Sequence, residues 1–184
     1  MQYRLKRFKV VDKKKYTPDL WLPFILKSDS DLKKSCRMDV FKATGHGGQK
    51  KNKTSNAIRL TLEHLSVTYT ASRSKTENIS SAFKKLKMSI ALDISAGREN
   101  CHLNQTYPTD LFQYFQKGSI NINAKNPVFP VVIGMIVDNF IKYQGNYKSV
   151  SEALKVSTSQ LRKFITKNPF MIETVNKIIQ SQDL

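Results

Sequence analysis

Cysteine is scarce: Cys36 and Cys101 are the two in 184 residues. Two thiols cannot build a disulfide scaffold, and no Cys/His cluster has zinc-ligand spacing. Long hydrophobic runs are missing too. The longest near-apolar run, 128–137, has ten residues and is broken by Pro130 and Gly134. A membrane helix needs about 20 apolar residues. Acid is the third shortage, with 14 Asp and Glu against 31 Lys and Arg, for a net charge of +17. These shortages argue against a secreted, metal-dependent or membrane-embedded protein and for a polyanionic partner. The hydrophobic share, 40%, still suffices for a core, so disorder is not the default.

The charge is uneven. Residues 1–104 hold 16 Lys and 6 Arg against 9 acids, a net +13; residues 105–184 hold 8 Lys and 1 Arg against 5 acids, a net +4. The excess that attracts phosphate therefore sits in the first half.

Residues 1–16 carry Arg4, Lys6, Arg7, Lys9 and Lys13 to Lys15 and read as a basic arm that orders on RNA or as a plain disordered terminus, with no apolar core of a secretory signal behind them. Asp12 and the lack of early serine speak against a mitochondrial presequence, and a cytoplasmic location is expected. Tyr16, Pro18, Trp21, Pro23 and Phe24 suggest an irregular segment that docks its aromatics on a core. Period-two alternation then predicts strands over 37–42, 57–62 and 66–71, the last two joined as a hairpin by 63–65. Ser74-Lys75-Thr76-Glu77 fits a capping box. Behind it Ile79, Phe83, Leu86, Ile90 and Ile94 form one helical stripe that Gly97 ends, with Lys84, Lys85 and Lys87 facing away. Residues 97–108 read as a connector.

The remainder reads helical: a short amphipathic piece over 110–115, a buried helix over 131–143, and two short helices over 150–154 and 158–165. The last pair resembles a helix-turn-helix with Arg162 and Lys163 on its second helix, although Lys155 and Val156 stand where such turns favour glycine. A plain bundle of three or four helices fits the same pattern.

One loop carries the chemistry: Thr44-Gly45-His46-Gly47-Gly48-Gln49-Lys50-Lys51-Asn52-Lys53-Thr54. Three glycines in four residues allow the backbone to approach a ligand, and three lysines in the next four positions after Gln49 seek phosphate. The spacing is neither that of a Walker loop nor that of a dinucleotide fingerprint. His46, His64 and His102 have no matched partners in sequence, so any enzyme here works without an obvious titratable group.

The stretch 31–93 resembles the catalytic domain of class I peptide chain release factors and their codon-independent ribosome-rescue relatives. The residues that carry this are Gly45-His46-Gly47-Gly48-Gln49, Asn52, Ala57-Ile58-Arg59-Leu60, Arg73-Ser74-Lys75, Asn78, Ala82 and Leu86. The resemblance implies hydrolysis of the peptidyl-tRNA ester on the ribosome, without metal or other cofactor. It implies that Gly47, Gly48 and Gln49 are catalytic. The Gln49 backbone N–H would stabilise developing charge, and its side chain would admit only water. It implies ribosomal RNA contacts from Lys50, Lys51, Lys53, Arg73 and Lys75, structural support of the loop by Gly45, Asn52 and Asn78, and a Gln methyltransferase acting on Gln49. Departures are Ala43, Thr44 and His46 in the loop and Lys75 where relatives more often have Gln.

The expected fold is α+β: a small mixed sheet with one long packed helix, followed by an α-helical module. The expected organisation is a basic arm (1–30), a catalytic domain (31–97), a linker (98–108) and a helix-turn-helix-like module (109–184). About 30 residues precede the resemblance, no codon-reading tripeptide stands in a matching context, and no long Lys/Arg tail is present. The expectation is a ribosome-rescue hydrolase that does not read stop codons. The competing readings are a non-catalytic ribosomal RNA-binding protein that keeps the fold, and a DNA-binding regulator led by the C-terminal helices. The lower charge of that half disfavours the last.

Overall fold

The computed structural model describes residues 15–42, 55–100 and 107–181. Three strands form the main sheet: β1 (Arg37–Phe41), β2 (Ala57–Leu62) and β3 (Leu65–Tyr69), in the order β1-β2-β3. Both pairings are antiparallel, so the expected mixed sheet is antiparallel throughout its described strands. Alternation sets the faces. Ile58, Leu60 and Leu62 are buried on the central strand, while Arg59 points outward with its guanidinium 5.2 Å from the centre of the Phe41 ring. Met38 and Val40 lie opposite Leu60 and Ile58 and share their face, but on an edge strand where Val40 remains partly exposed. The β2–β3 hairpin turns tightly on Glu63-His64, with Leu62 paired to Leu65 and Glu63 at φ +49°.

Two short helices precede the sheet, α1 (Trp21–Leu26) and α2 (Asp29–Ser35). The aromatics of 16–24 dock on the core as the sequence suggested, but through a 3-10 turn (Pro18–Leu20) and α1 rather than irregular chain. The long helix is α3 (Lys75–Leu92), which buries Ala82, Phe83, Leu86, Ile90 and Ala91 against β2, β3 and α1. It stops five residues before Gly97. Asp93 takes extended backbone and its carboxylate accepts from the Ser95 backbone N–H at 3.1 Å and the Tyr16 hydroxyl at 2.6 Å, so Ile94 lies beyond the helix. The basic face also differs from expectation. Lys84 and Lys85 are exposed, but Lys87 turns back to bond the Lys27 carbonyl at 3.0 Å and Asp29 at 2.9 Å.

The C-terminal half is not wholly helical. A 3-10 stretch (Thr109–Tyr114) leads into a two-stranded hairpin, β4 (Phe115–Gln116) and β5 (Ser119–Ile120), whose turn residues Lys117 and Gly118 both have positive φ. Then come α4 (Phe129–Lys142), α5 (Tyr147–Ala153), α6 (Thr158–Thr166) and α7 (Pro169–Gln180). Helix α4 is apolar nearly all round and packs on α1, α3, α5 and α7. Gly134 is needed there: a Cβ at this position would lie 2.3 Å from the Trp21 ring. Helices α5 and α6 form the expected two-helix unit. Its turn is made without glycine, with Lys155 at φ +54°, and the hairpin docks on it through the Ser157 N–H donating to the Gly118 carbonyl at 2.8 Å. Apolar side chains from Tyr16 to Ile178 form one contiguous cluster.

Candidate active site

The glycine- and lysine-rich loop connects the end of β1 to the start of β2. Phe41 and Ala57 are paired across the two strands, so both ends of the connection are held at neighbouring positions. Gly45, Gly47, Gly48, Gln49, Lys50, Lys51, Asn52 and Lys53 lie outside the described residues. The base of the loop is described, and it is closed by amides.

Asn78, in the first turn of α3, is fully buried. Its Oδ1 accepts from the Ser72 N–H at 2.9 Å; its Nδ2 donates to the Asn56 carbonyl at 2.6 Å and to the Ser72 carbonyl at 2.9 Å. Asn56, directly before β2, donates from Nδ2 to the Arg73 carbonyl at 2.8 Å. The returning end of the loop is thus fastened to the 72–74 turn at two points. A buried primary amide suits this, because it offers both donors and an acceptor without carrying charge into the core.

The helix start below it is half of the expected capping box. Ser74 Oγ accepts from the Glu77 N–H at 3.4 Å, but the Glu77 carboxylate does not reach back to Ser74. It accepts from Ser72 Oγ at 2.5 Å, while the Ser74 N–H donates to Ser72 Oγ at 3.0 Å. Ser72 stands between the two halves of the box and ties the turn to the helix. Arg73 and Lys75 flank Ser74 and are exposed. The structure therefore brings Arg73, Lys75 and Asn78 to the loop base. Asn56 and Ser72 are the residues that the sequence reading missed; an Asn just before a strand and a Ser two before a helix cap are weak signals of local backbone bonding.

A second polar cluster lies at the far end of β2, one strand length of about 17 Å from the loop base. His64 has a partner after all: its Nε2 is 3.0 Å from Asp93 Oδ2. Ser95 Oγ lies 3.2 Å from the same Nε2. A nucleophile relay needs the two imidazole nitrogens to serve different partners. Here one nitrogen serves both, and the group caps the chain after α3. Burial alone would push the Asp93 carboxyl up, but hydrogen bonds from Tyr16, from the Ser95 backbone and side chain and from His64 hold it below its ordinary value. The Tyr16 hydroxyl is pushed upward by burial and by its bond to Asp93. Cys36 is likewise raised by burial, to about 11, which leaves an inert thiol at neutral pH. No group of three or more His, Cys, Asp or Glu able to hold a metal occurs among the described residues. Among them no helix is long and apolar enough to cross a membrane.

Residues 29–118 match the model of the RF-1 domain. The matched segment runs from the first residue of α2, through the sheet and α3, to the turn of the β4–β5 hairpin. The match covers just under half of the chain and, with the α+β fold, is consistent with a release-factor-like family. The RF-1 domain supports a release-factor-like role in translation termination or rescue, and an interaction with the ribosome in general. Members of that family hydrolyse peptidyl-tRNA. Neither the comparison with curated proteins nor that with solved structures finds a match.

Proposed function

We propose that this chain hydrolyses the ester joining a nascent peptide to the terminal ribose of tRNA on the ribosome, and that it does so without reading a stop codon. The observation that carries the reading is an intact Gly47-Gly48-Gln49 inside the matched RF-1 domain, on a loop whose base is clamped by Asn56 and Asn78. In the reaction, water attacks the ester carbonyl carbon. The Gln49 backbone N–H donates to the oxyanion that develops, the C–O bond to the ribose breaks, and a proton passes to the leaving ribose oxygen. The Gln49 side chain keeps nucleophiles larger than water out. An ester is already activated, so the chain has no need of an acid–base pair at the loop.

Lys50, Lys51, Lys53, Arg73 and Lys75 hold the domain to ribosomal RNA phosphates. Arg73 and Lys75 support this by standing exposed at the loop base with no ion pair among the described residues. Gln49 is the proposed substrate of a Gln methyltransferase. The test is peptide release from purified ribosomes programmed with a stop codon, a sense codon and a truncated message. Release on the sense or truncated message supports the reading. Release confined to the stop codon overturns its codon-independent part.

A further inference from the structure

The C-terminal half carries little net charge, but its exposed cations are gathered. Between residues 147 and 170 stand Lys148, Lys155, Arg162, Lys163 and Lys167 against the single acid Glu152, and all six are exposed. None of the five cations forms an ion pair among the described residues. The next helix shows the contrast: on α7, Glu173 neutralises Lys177 at 2.7 Å.

Helix α6 is amphipathic. Leu161 and Ile165 are buried, which turns Ser159, Arg162, Lys163, Thr166 and Lys167 outward. Lys163 and Lys167 are one turn apart and share a face. The Arg162 guanidinium is laid over the Tyr147 ring at 4.0 Å, which fixes the inner edge of this surface. At its other end, three residues beyond Lys167, Phe170 is 64% exposed at the start of α7. A large aromatic left in water beside unpaired lysines is costly for a plain bundle and useful as a platform on which an unpaired base stacks.

We propose that the exposed face of α6, with Lys163, Lys167 and Phe170, is a second RNA-binding surface that takes a single strand, its phosphates on the lysines and a base on Phe170. The choice of RNA rests on the ribosomal reading above; the choice of a single strand rests on Phe170, which a paired base could not reach. The surface belongs to α6 and α7, outside the matched RF-1 domain. It gives the chain a second grip on its host, separate from the loop that does the chemistry.

The test uses the full chain and fluorescence anisotropy, with an unstructured RNA and a DNA duplex, each about 20 nucleotides long, beyond the ~4–16 of single-strand sites. Lys163→Ala/Lys167→Ala is expected to weaken RNA binding at least fivefold and to flatten the salt dependence by about 1.4, roughly 0.7 for each phosphate no longer neutralised. Phe170→Ala is expected to weaken binding by about fivefold or more at an unchanged salt slope. Lys125→Ala, exposed and outside α6 and α7, stays within about twofold of wild type. Thermal melts confirm that each variant is folded. Wild-type affinity in both the lysine and phenylalanine variants overturns the proposal. So does tighter binding of the DNA duplex than of the RNA. No ribosome or ester is present, so a failure here is distinct from a failure to release peptide.

Discussion

Arg98 and Asp138 meet at 2.7 Å, Nε to Oδ1, with both side chains 1% exposed. The guanidinium spends its other donors on the carbonyls of Ile90, Ala91 and Asp93 at the end of α3 and of Gly134 on α4, and lies 4.7 Å from the centre of the Trp21 ring. Asp138 in turn accepts from Trp21 Nε1 at 3.0 Å and from the Tyr107 hydroxyl. A buried ion pair survives only when its remaining lone pairs and protons are satisfied, and here they are. The pair fuses the last turn of the RF-1 domain's long helix to the C-terminal helices.

Removing the cation should therefore be costly. Arg98→Met leaves Asp138 buried without its counter-charge and frees the terminal carbonyls of α3, and a loss of about 3–5 kcal/mol is expected in urea unfolding. Lys84→Met, on the exposed face of the same helix, should stay within about 0.5 kcal/mol of wild type. Equal effects of the two would contradict the network.

Gly134 gives an independent check on the same joint. Alanine normally favours a helix interior by about 1 kcal/mol over glycine. At this position the added methyl would overlap the Trp21 ring, so Gly134→Ala is expected to destabilise by about 1–3 kcal/mol instead. Pairing it with Trp21→Leu should remove most of that penalty, measured as a non-additive double-mutant cycle.

Asp93 makes stability depend on pH. Its folded-state value lies below the ordinary carboxylate range, so the native state binds fewer protons than the unfolded one in acid. The stability it supplies is complete above about pH 4 and is lost as pH falls from there through the folded value. Asp93→Asn should be less stable than wild type at pH 7 and should show a shallower loss as pH falls below about 4. Parallel curves for the two proteins would show that the hydrogen bonds from Tyr16, Ser95 and His64 do not depress this carboxyl.

Asn78 links the fold to the proposed chemistry. Asn78→Ala removes three hydrogen bonds and leaves the Asn56 and Ser72 backbone groups unmatched. A destabilisation of about 1–3 kcal/mol is expected. Assayed well below its melting temperature, the variant should also release peptide more slowly at saturating ribosomes, because the loop is no longer fixed at its base. Unchanged release in a destabilised protein would confine Asn78 to a structural role.

Much of this architecture was legible because its signals are local. Ile58, Leu60 and Leu62 alternate on a strand buried on one face, and Ser74 before a 3.6-residue stripe marks a helix start. What escaped was set by distant partners. Ile94 continues the stripe, yet the helix ends at Leu92 because Tyr16, 77 residues before Asp93, bonds its carboxylate. Arg98 looks like one more surface cation until Asp138, 40 residues on, takes it into the core. The β4–β5 hairpin has two residues per strand, too short for any period. At the site, the triplet and Asn78 could be recognised in the sequence, whereas the role of Asn56 depends on the Arg73 carbonyl opposite it.

Gln49 is proposed to complete an ester-hydrolysing site on the ribosome. The direct measurement is single-turnover release of labelled peptide from ribosomes stalled on a truncated message, with wild type and Gln49→Pro compared at saturating protein. Subtilisin loses about 10²–10³-fold in turnover when one oxyanion donor is removed. A drop toward that size without loss of ribosome binding is expected here, since proline has no N–H to donate to the oxyanion. Equal rates from the two proteins, or no release by wild type on any message, would exclude that role for Gln49.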